Sequence, residues 1–245
     1  MIFGFDFWNT LYALPGSKES RAAVRTELLI HDCRELGLPR AETIAGCLFD
    51  EVEAFTKESW ARGLNPTQRA IVEHLQERWE WITVDTWSTL NESIDRIYST
   101  ALRPILLSGA PECLAWCHSQ GPVYLISDTF TLTGKMLRNI MKVDGIHDKF
   151  SALFFSDEVG VKKPNPYSFR QICAREGCAA SDVIYVGDDM NTDYRAAEAA
   201  GAQFILVAPN ASLAGWTGDV APSLESVLEI LKLKQLNWEK VRNNG

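Results

Sequence analysis

Five short apolar runs punctuate the chain, at Ile2–Phe5, Val123–Ile126, Ala152–Phe155, Val183–Val186 and Phe204–Val207. Each has the length of a buried strand, is bounded by polar or turn residues, and several are rich in Val, Ile, Phe and Tyr. Between the later runs the apolar period lengthens to that of a helix. Thr131–Met141 sets Leu132, Met136, Leu137 and Ile140 on one face, and Tyr167–Glu176 follows a proline and carries Phe169, Ile172 and Cys173. Tyr194–Ala200 is alanine-rich and closes on Gly201, the residue type that most often ends a helix in a left-handed conformation. Strands alternating with helices predict a parallel sheet with crossover connections, an α/β domain of Rossmann-like build.

The segment between the first two strands breaks that rhythm. From about Ser17 to Leu102 the pattern is almost wholly helical, with helices expected over Ser20–Leu36, Arg40–Ala61, Thr67–Trp81 and Ser88–Leu102. These four read as an all-helical subdomain inserted after the first strand. The expected organisation is an α/β core built from 1–14 and 104–245 and a helical cap domain over 15–103. Pro111 opens a further helix, Glu112–Ser119, and Leu224–Lys234 reads as an amphipathic tail helix. Disorder is expected only at the last residues, Arg242–Gly245.

Composition narrows the function classes. A chain of 245 residues that is 46% hydrophobic and 23% charged can bury a sizeable core. The formal net charge is −8 and no run of Lys and Arg forms a basic stripe, which disfavours nucleic-acid binding. No apolar run approaches a membrane span, and the N-terminus lacks the basic and small-residue pattern of a signal peptide. Six cysteines are scattered along the chain. Cys113, Cys117 and His118 hint at a metal site, but the second ligand pair is missing, so buried thiols in a reducing cytoplasm are the expected reading.

The chemistry gathers at the predicted strand ends, where open parallel sheets place their ligands. The first strand ends in Asp6, the second in Ser127-Asp128, the third leads to Gly160-Val161-Lys162-Lys163-Pro164, and the fourth ends in Gly187-Asp188-Asp189 with Asp193 beyond. Each residue has an ordinary structural explanation, as a turn, a helix cap or a solvated charge. A carboxylate, a hydroxyl, a cation and an acidic cluster converging from four strand ends point to a site. No glycine-rich phosphate loop follows the first strand, so a nucleotide-binding module fits poorly.

The order and spacing of these residues resemble the haloacid dehalogenase-like hydrolase superfamily. Asp6 to Thr10 matches its D-x-D-x-T-like first motif, and Ser127 the second. Gly160 to Pro164 matches G-x-x-K-P, which selects Lys163 over Lys162, and Gly187, Asp188 and Asp193 match G-D-x-x-x-x-D. The resemblance implies that Asp6 is a nucleophile forming an aspartyl-phosphate, with Lys163, Ser127, Thr10 and Asp128 around the phosphoryl group. It further implies a Mg²⁺ ion held by Asp6, Asp188 and the backbone carbonyl of Trp8, with Asp189 and Asp193 completing or orienting the metal shell. The substrate would be a small phosphorylated metabolite.

One position departs from the pattern. Phosphatases of this superfamily carry a second Asp two residues after the nucleophile, which protonates the leaving oxygen and then activates water. Here that residue is Trp8, whose indole N–H donates a hydrogen bond but exchanges no proton near neutral pH. Three readings follow. The chain is a phosphoryl hydrolase for good leaving groups, or one whose acid comes from Asp128 or a cap residue. Alternatively it acts on carbon–halogen bonds, like the dehalogenase branch with its aromatic residue at this position. The third reading is a binding protein that has lost turnover. In the cap segment, Trp60, Trp79, Trp81 and Trp87 are either an aromatic lid or ordinary bundle packing, and Arg21 and Arg25 are either anion contacts or solvated charges. A homodimer through the cap or the tail helix is compatible with the sequence.

Overall fold

The structure is a computed structural model that describes residues 1–209 and 217–243, except for the side chains of 238, 239 and 241–243. Its centre is a six-stranded, all-parallel sheet in the order β5-β4-β1-β6-β7-β8. The strands are β1 (Ile2–Phe5), β4 (Val123–Ser127), β5 (Ala152–Phe155), β6 (Val183–Gly187), β7 (Gln203–Val207) and β8 (Asp219–Ala221). Two further strands, β2 (Tyr12–Ala13) and β3 (Ile105–Leu106), pair antiparallel with Tyr12 opposite Leu106. That short ribbon brings together the two chain ends of the helical segment.

The helical segment comprises α1 (Lys18–Glu35), α2 (Ala41–Thr43), α3 (Phe49–Ala61), α4 (Gln68–Gln76) and α5 (Val84–Ser99). Capping explains several of its limits. Ser17, Thr67 and Thr83 each accept a backbone N–H at the start of α1, α4 and α5, so α5 begins four residues before the expected Ser88. The helix expected over Arg40–Ala61 is interrupted by a π-helical turn at Ile44–Leu48, around Gly46. The helix expected to reach Trp81 stops at Gln76, and Trp79 and Ile82 pack into the core on the turn that follows.

Of the remaining helices, α6 (Ala110–Gln120) leads into β4, and α7 (Gly134–Val143), α8 (Ser156–Val159), α9 (Tyr167–Glu176), α10 (Arg195–Ala200) and α11 (Leu224–Asn243) come after core strands. The tail helix α11 is longer than the expected Leu224–Lys234, and it includes Arg242 and Asn243, where disorder was expected. Asn244 and Gly245, the rest of that expectation, lie outside the described residues. Alternate residues of the central strands face opposite ways. Phe3, Phe5, Ile184 and Val186 join one apolar cluster with the helical segment, whereas Ile2, Tyr185 and Phe204 join a smaller one with α9 and α10. A Cβ at Gly4 would lie 2.9 Å from the Tyr185 ring, so glycine in β1 makes room for that tyrosine. No helix among the described residues is long and apolar enough to cross a membrane.

Candidate active site

The carboxyl ends of β1, β4 and β6 stand side by side, and the side chains expected there meet in one charged cluster. Asp6, one residue past β1, is 4% exposed and accepts a 2.5 Å hydrogen bond at Oδ1 from Lys163 Nζ. The same ammonium donates to Asp193 Oδ1 at 2.6 Å, to the Ile126 carbonyl at 3.2 Å and to the Tyr185 hydroxyl at 3.1 Å. Lys163 is therefore the buried cation that bridges two carboxylates.

Asp193 is fully engaged. Its Oδ1 takes the Lys163 ammonium, with the Tyr185 hydroxyl at 3.3 Å, and its Oδ2 accepts the backbone N–H groups of Asp188 and Asp189, both at 3.1 Å. It folds the turn after β6 and orients Lys163. Gly187 makes this turn feasible, because a Cβ there would sit 2.5 Å from the Asp193 carboxylate. Among the described residues, Asp6, Asp188 and Asp193 are the group of His, Cys, Asp or Glu side chains close enough to share a metal ion, with ligand atoms within 4.8 Å of one another. The Cys113, Cys117 and His118 set forms no such group, and all six cysteines are free.

Burial sets the protonation of this cluster. It pushes Asp6 well above the usual carboxylate range; Lys163 pulls it back, and Asp193 and Asp188 push it further up. Burial lowers Lys163, but the Asp193 and Asp6 carboxylates outweigh that and hold it protonated. Burial, with Asp193 alongside, pushes Asp188 up to about 6 against a hydrogen bond from Asn9. Lys163 bonds Asp6 and Asp193 and acts on Asp188 only through space, so three carboxyl groups face one ammonium.

Asp189 does not join the acidic group. Its side chain turns to the N-terminus of the π-helical turn Met190–Tyr194, accepting from the N–H groups of Asn191 at 2.6 Å and Thr192 at 3.3 Å. It is a cap, because a carboxylate next to two unpaired N–H groups is best placed there. Asp128 Oδ1 accepts the Lys163 backbone N–H at 3.0 Å, and its Oδ2 lies 3.8 Å from Lys162 Nζ. Burial raises it above the ordinary carboxylate range, against Lys163 and Lys162. Ser127 Oγ makes only a 3.4 Å contact to the Asp128 carbonyl, and Thr10 Oγ1 is buried without a partner.

Trp8 is half-buried and meets Phe7 edge-on, with ring centroids 4.7 Å apart. Lys162 lies 4.3 Å over the Trp60 ring, and the Trp60 indole donates to Asn65 Oδ1 at 2.8 Å. Asn65 in turn donates its backbone N–H to Gly160, and Leu64 bridges to Val161. The helical segment is thus latched to the loop that carries Lys163. Trp79 and Trp87 are buried in the core, and the Trp81 indole N–H is buried without a partner. Arg21 donates to the Pro15 and Gly16 carbonyls, and Arg25 stacks on the Phe49 ring at 4.7 Å.

Two contributors escaped the sequence reading. Tyr185 sits in the apolar run Val183–Val186, where a buried phenol usually finds a hydrogen-bond partner; that tendency was the available signal. Asn9 holds a left-handed backbone conformation (φ 53°) and reaches Asp188.

The fold is thus an α/β, Rossmann-like one, with an aspartate just past its first strand paired to a buried lysine beside an acidic turn. The chain belongs to the haloacid dehalogenase-like hydrolases, whose family model matches residues 1–201. It is 32% identical over 207 residues to a phosphoglycolate phosphatase of Pectobacterium atrosepticum, covering 82% of this chain and 77% of that protein. It is 42% identical over 57 residues to a glyceraldehyde 3-phosphate phosphatase of Methanopyrus kandleri, a match that covers 23% of this chain and only 24% of that protein's length. Among solved structures, a 2-haloacid dehalogenase from Pseudomonas syringae pv. Tomato DC3000 superposes with a TM-score of 0.65 at 17% identity, over 94% of this chain and 97% of that one. At that identity the likeness concerns the fold.

Proposed function

We propose that this chain is a Mg²⁺-dependent phosphoryl hydrolase with Asp6 as its nucleophile, acting on small phosphomonoesters. The observation that carries the reading is the chain of contacts Asp6–Lys163–Asp193 with Asp188 beside it, at the end of the sheet. The donor set suits a hard divalent cation: carboxylate oxygens from Asp6 and Asp188, to which the Trp8 backbone carbonyl would add a third. When bound, the ion would screen the repulsion between an anionic nucleophile and an anionic substrate. Asp193, saturated by its own hydrogen bonds, would orient this set rather than bind the ion.

The protein's own groups divide the remaining work. Lys163 holds Asp6 Oδ1, which leaves Oδ2 without a protein donor among the described residues. The carboxylate attacks phosphorus, the ester oxygen departs with its electron pair, and water then hydrolyses the acyl phosphate to free Asp6 and phosphate. Lys163 stabilises charge on the transferring group. Thr10 is a buried hydroxyl without a partner and Ser127 makes one long 3.4 Å bond to the Asp128 carbonyl, which suits both to phosphoryl oxygens. The helical segment serves as the cap that excludes water.

Two measurements test this reading. Phosphate release from an activated aryl phosphate is expected with Mg²⁺, to vanish with a chelator and to return on adding excess Mg²⁺. Calorimetry that detects no Mg²⁺ binding would overturn it, and halide release from a short 2-haloacid without metal would favour the dehalogenase reading that aromatic Trp8 suggests. Asp189→Ala is expected to lower the unfolding free energy by about 0.5–2 kcal/mol, the usual worth of a cap, and to leave Mg²⁺ affinity unchanged. A large loss of Mg²⁺ affinity in that variant would return Asp189 to the metal shell.

A further inference from the structure

The Lys163 ammonium carries three N–H groups and faces four acceptors. Asp6 Oδ1 at 2.5 Å and Asp193 Oδ1 at 2.6 Å take two of them as short, charge-assisted bonds. The third is left to two neutral oxygens, the Tyr185 hydroxyl at 3.1 Å and the Ile126 carbonyl at 3.2 Å. The phenol has one proton to give. Ile126 O lies 2.9 Å from it and Asp193 Oδ1 3.3 Å, so it donates to the carbonyl and accepts from the lysine. Every N–H of Lys163 is then engaged inside the protein, and a phosphoryl oxygen can be held only if one is withdrawn.

The bond to Tyr185 is the one to yield, because its acceptor is uncharged and the two carboxylates hold their N–H groups more strongly. The phenol does not follow the ammonium. Its ring is fully buried, a Cβ at Gly4 would already touch it at 2.9 Å, and Phe169 meets it edge-on with centroids 5.0 Å apart. Its O–H therefore stays on the Ile126 carbonyl when the N–H turns away. That carbonyl has need of it. β1 ends at Phe5, opposite Leu125, so Ile126 lies one residue beyond the last β1–β4 pair, and its carbonyl takes donors from Lys163 and Tyr185.

We infer that Tyr185 is a positioning residue for phosphoryl binding. It holds the third N–H of Lys163 while the site is empty, and it covers the Ile126 carbonyl when that N–H turns to a phosphoryl oxygen. The inference rests on the phosphoryl-hydrolase reading above. With phenylalanine in its place, Lys163 would bond the Ile126 carbonyl directly in the free protein. Binding a phosphoryl group would then strand a buried carbonyl without a donor, a penalty that falls on the bound state alone. The tyrosine acts through Lys163 and Ile126 and has no need to touch the substrate.

Tyr185→Phe tests this, since it keeps the ring and its packing on Phe169 and removes only the hydroxyl. The full chain with Mg²⁺ is titrated calorimetrically with inorganic phosphate and with orthovanadate, and its Tm is measured with and without each anion. The variant is expected to bind both about tenfold more weakly and to lose kcat/KM on an activated aryl phosphate by a similar factor. The rise in Tm that each anion produces should shrink accordingly. A tyrosine that merely packs would lower the Tm of the free chain and leave that rise unchanged. Unaltered affinity for both anions, whatever the Tm of the free variant, overturns the role of Tyr185 and leaves the phosphoryl reading standing. A variant that fails to fold overturns it too, because Lys163 would then not have replaced the phenol at Ile126. If the natural chain binds neither anion, the phosphoryl reading falls and this one with it.

Discussion

Replacing Trp8 with Asp is expected to raise turnover of alkyl phosphates by roughly 10²–10⁴-fold, the usual worth of general acid–base catalysis. Aryl phosphates with acidic leaving groups should change little, because their oxygen departs without a proton. The reason lies in what the indole lacks: it can donate a hydrogen bond but cannot transfer its proton near neutral pH. The backbone at this position is held independently of the side chain, since the N–H groups of Leu11 and Tyr12 both donate to the Phe7 carbonyl and Asn9 N–H donates to Tyr12. A new carboxylate would therefore start from the same backbone position. The substitution forfeits the edge contact with Phe7, at a cost of about 0.5–1.5 kcal/mol. The measurement is the dependence of log kcat on leaving-group pKa, steep in the natural protein and flatter in the variant. Equal slopes would mean that another group already supplies the proton.

Asp6→Asn is expected to abolish turnover, by on the order of 10³-fold or more, without destabilising the protein. Loss of activity follows from removing the nucleophile, and the stability result follows from burial. A carboxylate whose folded-state pKa is raised above its unfolded value opposes folding at neutral pH, an opposition that begins to fade as pH falls below the folded value and is gone below the unfolded one. Burial raises Asp6 in this way, so the neutral, isosteric amide removes a cost. Lys163 is not stranded, since it keeps Asp193, the Tyr185 hydroxyl and the Ile126 carbonyl. Scanning calorimetry at pH 7 should show a Tm equal to or above that of the natural chain. A Tm several degrees lower would mean that the Asp6–Lys163 attraction outweighs desolvation, and that Asp6 holds the fold together as well as serving the site.

Much of the fold was legible because it depends on local patterning. The apolar runs at Ile2–Phe5, Val123–Ile126, Ala152–Phe155, Val183–Val186 and Phe204–Val207 all lie in strands of the sheet. β2, β3 and β8 were not legible. A two- or three-residue strand has too little pattern of its own, and Tyr12–Ala13 is a strand only because Ile105–Leu106 lies beside it. Helix limits slipped where a cap decided them: α5 starts at Val84 because Thr83 accepts an N–H there, and a threonine reads the same whether it caps or not.

The site divides along the same line. The sequence by itself determined which groups stand at strand ends, since the end of a buried strand is where the apolar run stops: Asp6, Ser127, and the acidic turn after Val186. Only the tertiary structure decided how those groups share their hydrogen bonds. Asp189 and Asp193 are chemically identical, yet one caps a turn on the surface and the other is buried against Lys163 and Tyr185. Parallel pairing of β1 with β4 and β6 sets Asp6 beside Lys163, 157 positions away, and the same ammonium reaches Asp193, 30 positions on. Local pattern carries no record of such distances, and the raised pKa values of Asp6 and Asp188 exist only because that assembly removes them from water.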